Sequence, residues 1–258
     1  MTLLDIKNLS VEFQKDSGRN RVVDSVSFQM APGEILGIVG ESGSGKSTLM
    51  YTLKGLLWER AAVSYDKLEM MDNIKIGMVF QDPLSYLNPG MKVGTQLMET
   101  IRQHQHLSKQ EAKQEALSLL EQVGIEGGEK ILHKYPHAFS GGMRQRAALI
   151  RTLLLEPDLL LLDEPFSALD YQTRLLVSDD IGQIIRSEKR SAILVTHDLS
   201  EAISLGDLVL VLTERPGRIK AFFPLNFPLE NDTALNRRDS AEFKHYFNLV
   251  WKEVEAHE

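Results

Sequence analysis

Two short stretches of this sequence carry residue types at spacings that suit chemistry on a phosphate. The first is Gly40-Glu41-Ser42-Gly43-Ser44-Gly45-Lys46-Ser47, with Thr48 following; it satisfies the pattern G-x-x-x-x-G-K-[ST]. Its glycines let the backbone wrap until successive N–H groups point at phosphate oxygens. A helix leaving such a loop adds its positive N-terminal end. Lys46 then sets a point charge against the β and γ phosphates, and the Ser47 hydroxyl is positioned to ligate Mg2+. The plain alternative is a Gly/Ser turn, but average composition yields this pattern by chance in only about one chain in a hundred of this length. The second stretch is Leu159-Leu160-Leu161-Leu162-Asp163-Glu164. An apolar strand ending in two acids opposite a phosphate loop is where a Walker-B aspartate meets the Mg2+ shell. Glu164, one residue on, is placed to polarise an attacking water. Nucleotide binding follows from the pair; kinase, GTPase, helicase and transport ATPase are not yet separated.

The elements that must position these residues are legible as periodicities. Ile35–Val39 is an apolar run without alternation, as expected of a strand covered on both faces, and it feeds the glycine loop. A helix over Leu49–Leu57 is expected to leave that loop. Ile76–Phe80, Leu159–Leu162, Ala192–Val195 and Leu208–Leu212 read as further buried strands. Residues 3–13 and 22–30 alternate as half-buried strands do, around a turn at Asp16–Asn20. Val93, Leu97 and Ile101 share one helical face, and Ser108-Lys109-Gln110-Glu111 forms a capping box before Ala112, Ala116, Leu119, Leu120 and Val123. Strands alternating with helices predict an α/β fold with a mainly parallel sheet, preceded by an antiparallel β region. The helices at about 84–157 interrupt the alternation as an inserted helical lobe. One domain over 1–258 is expected, with a core at about 1–83 and 158–213 and a C-terminal tail at about 214–258. The segment Trp58–Asn73 reads as short and irregular.

Composition sets the limits. The chain has 258 residues, 43% of them hydrophobic, and no cysteine. A chain this long buries roughly 73% of its unfolded surface and needs no staple. Without cysteine there is no disulfide framework, thiolate nucleophile or cysteine-ligated iron–sulfur cluster. With 29 basic and 36 acidic residues the net charge is −7, a poor footing for general binding to nucleic-acid phosphates. No apolar run approaches the ~18–20 residues of a spanning helix, and Met1–Lys7 has neither a basic n-region nor a long apolar core. The expectation is a soluble, cytoplasmic chain.

With those elements in place the chain resembles the nucleotide-binding subunit of an ATP-binding cassette (ABC) transporter, essentially from end to end. Phe139-Ser140-Gly141-Gly142-Met143 resembles the family signature, Ser167-Ala168-Leu169-Asp170 its D-loop, Gln81 after Val79-Phe80 its Q-loop, and His197 its switch histidine. Phe13 stands where the family has an aromatic that stacks on adenine, with a core position as its plain alternative. Ser140 is a natural N-cap, and two glycines permit backbone N–H groups to approach an anion. The resemblance implies that this helix end faces the γ-phosphate held by a second subunit, so that a head-to-tail dimer encloses two ATP molecules. It implies that Gln81 touches Mg2+ and water, that His197 bonds the γ-phosphate, and that Asp170 joins the nucleotide contacts. Phe139 and Met143 depart from the commonest signature, which has Leu and Gln there.

A lone ATP-binding domain implies a separate membrane permease and, for an importer, a solute-binding protein; nucleic acid is not an implied partner. The segments Gln81–Pro89 and Tyr135–Arg146 resemble oligopeptide and dipeptide importers. Phe166–Arg174, His197–Ala202, Arg215–Arg218 and the tail resemble nitrate, sulfonate and taurine importers, and this longer C-terminal likeness is weighed above the first. An exporter ATPase and a soluble ABC protein are the alternatives. In the tail, Phe243, Phe247, Val250, Trp251 and Val254 form one helical face, capped by Asp239 or Ser240, expected to pack on the body.

Overall fold

A computed structural model describes residues 2–15, 18–57, 61–80, 87–167 and 169–255. Its centre is a six-stranded sheet in the order β10-β9-β3-β8-β7-β6. The strands are β3 (Ile35–Val39), β6 (Ile76–Val79), β7 (Leu159–Asp163), β8 (Ser191–Val195), β9 (Leu208–Leu212) and β10 (Ile219–Pro224). All but β10 run parallel to their neighbours, and β10 returns antiparallel along β9. Every residue of β3, β7 and β8 is buried, which is why these strands read as apolar runs without alternation. The register pairs Ile38 with Val195 and Val195 with Asp163. The C-terminal ends of β3, β8 and β7 therefore meet along one edge, where ligands of open parallel sheets bind.

A second, four-stranded sheet forms the N-terminal β region. Its strands are β1 (Leu4–Lys15), β2 (Gly18–Met30), β4 (Ala61–Ser64) and β5 (Lys67–Met70). The β1–β2 hairpin pairs Lys15 with Gly18, so the chain turns more tightly than a five-residue turn at 16–20; Asp16 and Ser17 lie outside the described residues. The segment expected to be irregular contributes β4 and β5, both antiparallel to β1. Neither has a fully buried residue, so no strong apolar alternation marked them, although Leu68 and Met70 of β5 pack on the main apolar cluster.

The helices around the main sheet are α1 (Lys46–Lys54), α6 (Tyr171–Ser187) and α7 (Leu199–Leu205). Helix α1 starts three residues before the expected Leu49 and stops at Gly55, whose φ of 73° suits glycine at a helix C-terminus. The inserted helices are α2 (Val93–Gln105), α3 (Lys109–Gln122), α4 (Glu129–Leu132) and α5 (Gly141–Leu153). They build their own apolar cluster, with Val93, Leu97, Ile101, Ala112, Ala116 and Leu120 all fully buried. The capping box is present: Ser108 Oγ accepts from Glu111 N at 3.3 Å, and Glu111 Oε2 accepts from Ser108 N at 2.9 Å.

After β10 the tail forms α8 (Ala234–Asp239) and α9 (Ala241–Glu255). Val250 is fully buried, and Phe243, Phe247 and Val254 pack with it against Val39, Ile203 and Val211. Trp251 is the exception on that face: it stays 43% exposed and stacks on Phe247 at 5.8 Å. Of the two caps expected, Ser240 does the work, accepting from Phe243 N at 3.2 Å. No helix among the described residues is long and apolar enough to cross a membrane.

Ser108→Ala removes one half of the capping box while leaving the apolar face of α3 intact. It should cost about 1 kcal/mol, read as a lower urea midpoint with an unchanged slope. An unmoved midpoint would show that packing alone fixes the start of α3.

Candidate nucleotide site

The glycine loop follows from two steric demands. Gly40 and Gly45 have φ of 150° and 100°, a region that side chains rarely adopt. A Cβ on Gly40 would lie 2.7 Å from the Leu212 carbonyl oxygen, and one on Gly45 would lie 2.9 Å from that of Val22. The loop is thus wedged between β9 and β2. Its tip, Glu41-Ser42-Gly43, is exposed, whereas Ser44, Gly45 and Lys46 are buried. Ser47 and Thr48 are half-buried in the first turn of α1.

Lys46 folds back over the loop. Its Nζ donates to the carbonyls of Gly40 at 2.8 Å and Glu41 at 2.7 Å, and reaches Ser44 Oγ at 3.4 Å. Burial lowers the ammonium pKa from its ordinary value, and the nearby Glu164, Asp163 and Glu41 carboxylates oppose that shift. Asp163 sits at the end of β7, where its Oδ1 accepts from Ser47 Oγ at 3.0 Å and its Oδ2 from Tyr51 OH at 3.3 Å. Burial raises its carboxyl pKa above the usual carboxylate range, against the Ser47 and Tyr51 hydrogen bonds. Tyr51 was not singled out from the sequence, although its i+4 spacing from Ser47 places both on one face of α1.

Glu164 has a φ of 45°, left-handed and costly for a non-glycine residue. The turn is held by Glu164 N donating to the Val195 carbonyl at 2.8 Å and by Ser167 Oγ donating to the Glu164 carbonyl at 3.0 Å. This turn carries the carboxylate to His197, with Oε2 3.3 Å from Nδ1. His197 lies just past β8 and is more than half exposed. Lys46, Ser47, Asp163, Glu164 and His197 thus gather at the C-terminal ends of β3, β7 and β8.

The remaining sequence-derived residues stand apart from that group. Ser140 caps α5, accepting from Met143 N at 3.3 Å. Ser140 is exposed, Gly141 half-buried and Gly142 buried. A Cβ on Gly142 would meet Thr173 Cγ2 at 2.9 Å, so the start of α5 lies tight against α6. Asp170 caps α6 through Thr173 N at 3.1 Å, and the Thr173 hydrogen bonds lower its carboxyl pKa. Among the described residues no hydrogen bond or ion pair joins Ser140, Gly141, Gly142 or Asp170 to residues 40–48. Phe139 is 3% exposed inside the cluster of the inserted helices, and Met143 packs on it, which accounts for apolar residues at the two unusual signature positions. Phe13 is half-buried opposite Asn20 and Ala61 and packs on the main apolar cluster. Gln81 and Ala168 lie outside the described residues.

A phosphate loop between a buried strand and a helix, with an acid pair at a neighbouring strand end, defines a P-loop nucleotide-binding fold. The sequence profile described as ABC transporter matches residues 23–167, more than half of the chain, and the chain belongs to that family. The oligopeptide transport ATP-binding protein OppD of Bacillus subtilis is 37% identical over 226 residues, covering 81% of this chain and 63% of the relative. The dipeptide transport ATP-binding protein DppD of Haemophilus influenzae is 37% identical over 227 residues, covering 82% and 69%. The chain thus spans about two thirds of the length of these relatives. A dimeric ATP-binding cassette in a post-hydrolysis state bound to ADP and Pi shares the fold at a TM-score of 0.69 and 25% identity, covering 87% of this chain and 99% of that one. Both reported relatives carry peptide-transport names, in keeping with the segments at 81–89 and 135–146 rather than with the C-terminal likeness weighed above them.

The buried carboxylate gives a stability prediction. The folded pKa of Asp163 lies above its unfolded value, so the folded chain holds this proton more tightly. The associated stabilisation is complete below the unfolded value and is lost as the pH rises through the folded one. Above the unfolded value, burial of this carboxyl therefore weighs against folding. Asp163→Asn should melt at a higher temperature than the unliganded wild type at pH 7, with the gap closing as the pH is lowered through the carboxylate range. A variant that melts lower at pH 7 would contradict the desolvation argument.

Proposed function

We propose that this chain binds and hydrolyses ATP as a head-to-tail dimer, with a second copy or a paralogue, and that hydrolysis powers solute import through a separate membrane permease. The observation that carries the reading is the gathering of Lys46, Ser47, Asp163, Glu164 and His197 at one sheet edge. Phosphoryl transfer needs little covalent chemistry from a protein; it needs charge and position. Lys46 supplies charge to the β and γ phosphates once it exchanges the Gly40 and Glu41 carbonyls for phosphate oxygens. Glu164 orients water and takes up its proton, and His197, 3.3 Å away, donates to the γ-phosphate.

Ser47 and Asp163 offer a hydroxyl and a carboxylate oxygen side by side, the hard donors that Mg2+ prefers. Among the described residues there is no cluster of three or more acidic, histidine or cysteine side chains to cage a metal, which suits an ion held by one or two protein oxygens, substrate phosphates and water. An ion held by Ser47 and Asp163 would supply positive charge against the β and γ phosphate oxygens. Gln81 is proposed as a further contact to that ion and the water.

The dimer rests on the separation of Ser140, Gly141, Gly142 and Asp170 from the phosphate loop, on the exposed helix start at Ser140, and on the dimeric, ADP- and Pi-bound relative. Splitting the site between two chains makes turnover depend on closure. Phe13 is proposed to stack on adenine. We read residues 1–83 and 158–213 as the catalytic core, 84–157 as the lobe that meets the permease, and 214–258 as a tail. The names of the relatives favour peptides as the solute class, and with a separate permease the chain is proposed to sit at the cytoplasmic face of the membrane. A solute-binding protein completes the importer.

Glu164→Gln tests the reading. The variant should bind ATP with near wild-type affinity, lose turnover, and accumulate as a nucleotide-locked dimer on size-exclusion chromatography. Hydrolysis at a near-normal rate would remove Glu164 as the base, and loss of ATP binding would point to a structural role instead.

A further inference from the structure

The loop carrying His197 and the segment leading to Asp170 lie on different elements, and one side chain spans them. Arg174, in the first turn of α6, donates from Nη2 to the Leu169 carbonyl at 3.0 Å and from Nη1 to Asp198 Oδ2 at 3.4 Å. Its Nε faces Glu201 Oε1 at 3.7 Å. The acids it meets hold the residues on either side of His197. Thr196 Oγ1 donates to Glu201 Oε2 at 2.7 Å and accepts from Asp198 N at 3.0 Å. Asp198 Oδ1 accepts from Ser200 N at 2.8 Å. Thr196 and Asp198 are therefore locked into one small ring, and the guanidinium of Arg174 is its link to the Leu169 carbonyl.

The Thr196–Glu201 side of the ring is insulated, whereas the Arg174 and Asp198 side chains stay partly exposed. Thr196 is 1% exposed and Glu201 2% exposed, and at low local dielectric such hydrogen bonds and ion pairs are stronger than in water. Burial pushes the Glu201 carboxyl pKa up, which the Thr196 hydrogen bond and the charges of Arg174 and Arg238 oppose. Arg238, from α8 in the tail, donates from Nε to Ser204 Oγ at 3.2 Å and lies within electrostatic reach of Asp198 and Glu201. Two guanidiniums thus balance two carboxylates around the base of the histidine loop.

We propose that Arg174 is a positioning residue for ATP hydrolysis, fixing the His197 loop to the segment that ends at Asp170 so that the two hold one geometry. This rests on the ATPase reading above. In that reading His197 touches the γ-phosphate of one site while the 167–170 segment contributes to nucleotide contacts, so a rigid link between them keeps the site assembled during the chemical step. The planar guanidinium holds the carbonyl and the two carboxylates from separate nitrogens in a fixed fork, a span and direction that the compact ammonium of lysine does not reproduce.

Helix α6 carries its own control. At its other end Arg186 makes a similar pattern of contacts, with Nη1 3.0 Å from Asp207 Oδ1 and Nη2 2.9 Å from the Leu205 carbonyl oxygen. That pair belongs to the opposite edge of the sheet, where Asp207 accepts from Ile35 N at the start of β3.

The test compares ATP turnover, melting temperature and hydrogen–deuterium exchange for the full-length wild type, Arg174→Met and Arg186→Met. Arg174→Met should lower kcat by at least about tenfold, within the range that an ångström of misplacement commands, with the KM for ATP within about twofold of wild type. Exchange should rise in peptides covering 195–203 and 166–170. Arg186→Met should lose melting temperature and keep kcat. Should Arg174→Met not fold, Arg174→Lys, which keeps the charge without the fork, carries the same comparison with a smaller loss of kcat. An unchanged kcat, or equal losses of kcat at both ends of α6, would overturn the proposal and leave Arg174 as a staple. A wild type that does not hydrolyse ATP would overturn the ATPase reading, and the positioning role with it.

Discussion

The structure of the site depends on one hydrogen bond, that from Ser47 Oγ to Asp163 Oδ1 at 3.0 Å. It joins the first turn of α1 to the end of β7, two strands away from β3 across β8 in the sheet order. To make it, the glycine loop must deliver Ser47 to that edge, which fixes the positive φ at Gly40 and Gly45. Strand β7 must end at Asp163 in register with Val195, which brings Glu164 to the start of the histidine loop. The parallel sheet is thus a ruler, and the length of each buried strand decides which polar side chain emerges at its end.

The same arrangement places charge where water is scarce. Lys46 and Asp163 are 6% and 3% exposed, and burial disfavours the charged form of each. Polar partners limit the cost: loop carbonyls for the ammonium, Ser47 and Tyr51 hydroxyls for the carboxylate. These partners are of the kind that a bound nucleotide and its cation replace, since phosphate oxygens accept where the carbonyls do and a cation takes the carboxylate. The site is suited to an occupant of complementary charge.

The parts legible in the sequence were those set by local rules. Glycine and lysine spacing gave away the phosphate loop because the φ values there admit little else. Buried parallel strands announced themselves as Ile35–Val39 and Leu159–Leu162, and the capping box at Ser108 marked α3. Strands β4, β5 and β10 went unread because none has a fully buried residue; only partly buried side chains such as Leu68 and Phe223 reach the apolar clusters. Tyr51 and Arg174 were missed for a related reason. Each matters through a group supplied by another element, Asp163 for one and Asp198 for the other, and no local spacing shows such a meeting. Trp251 shows the converse: its period is right for the packed face of α9, yet it stays partly exposed and stacks on Phe247.

The central claim is that Ser47 and Asp163 form the cation-dependent half of an ATP site. Titration calorimetry of the full chain with ATP, in Mg2+ and in EDTA, for wild type and Ser47→Ala tests it most directly. The account predicts one nucleotide per chain, with wild-type affinity at least about tenfold higher in Mg2+, a gain of about 1.4 kcal/mol. Ser47→Ala should lose most of that gain while binding in EDTA changes little. ATP binding that is indifferent to Mg2+ in the wild type, or no binding at all, would contradict the account.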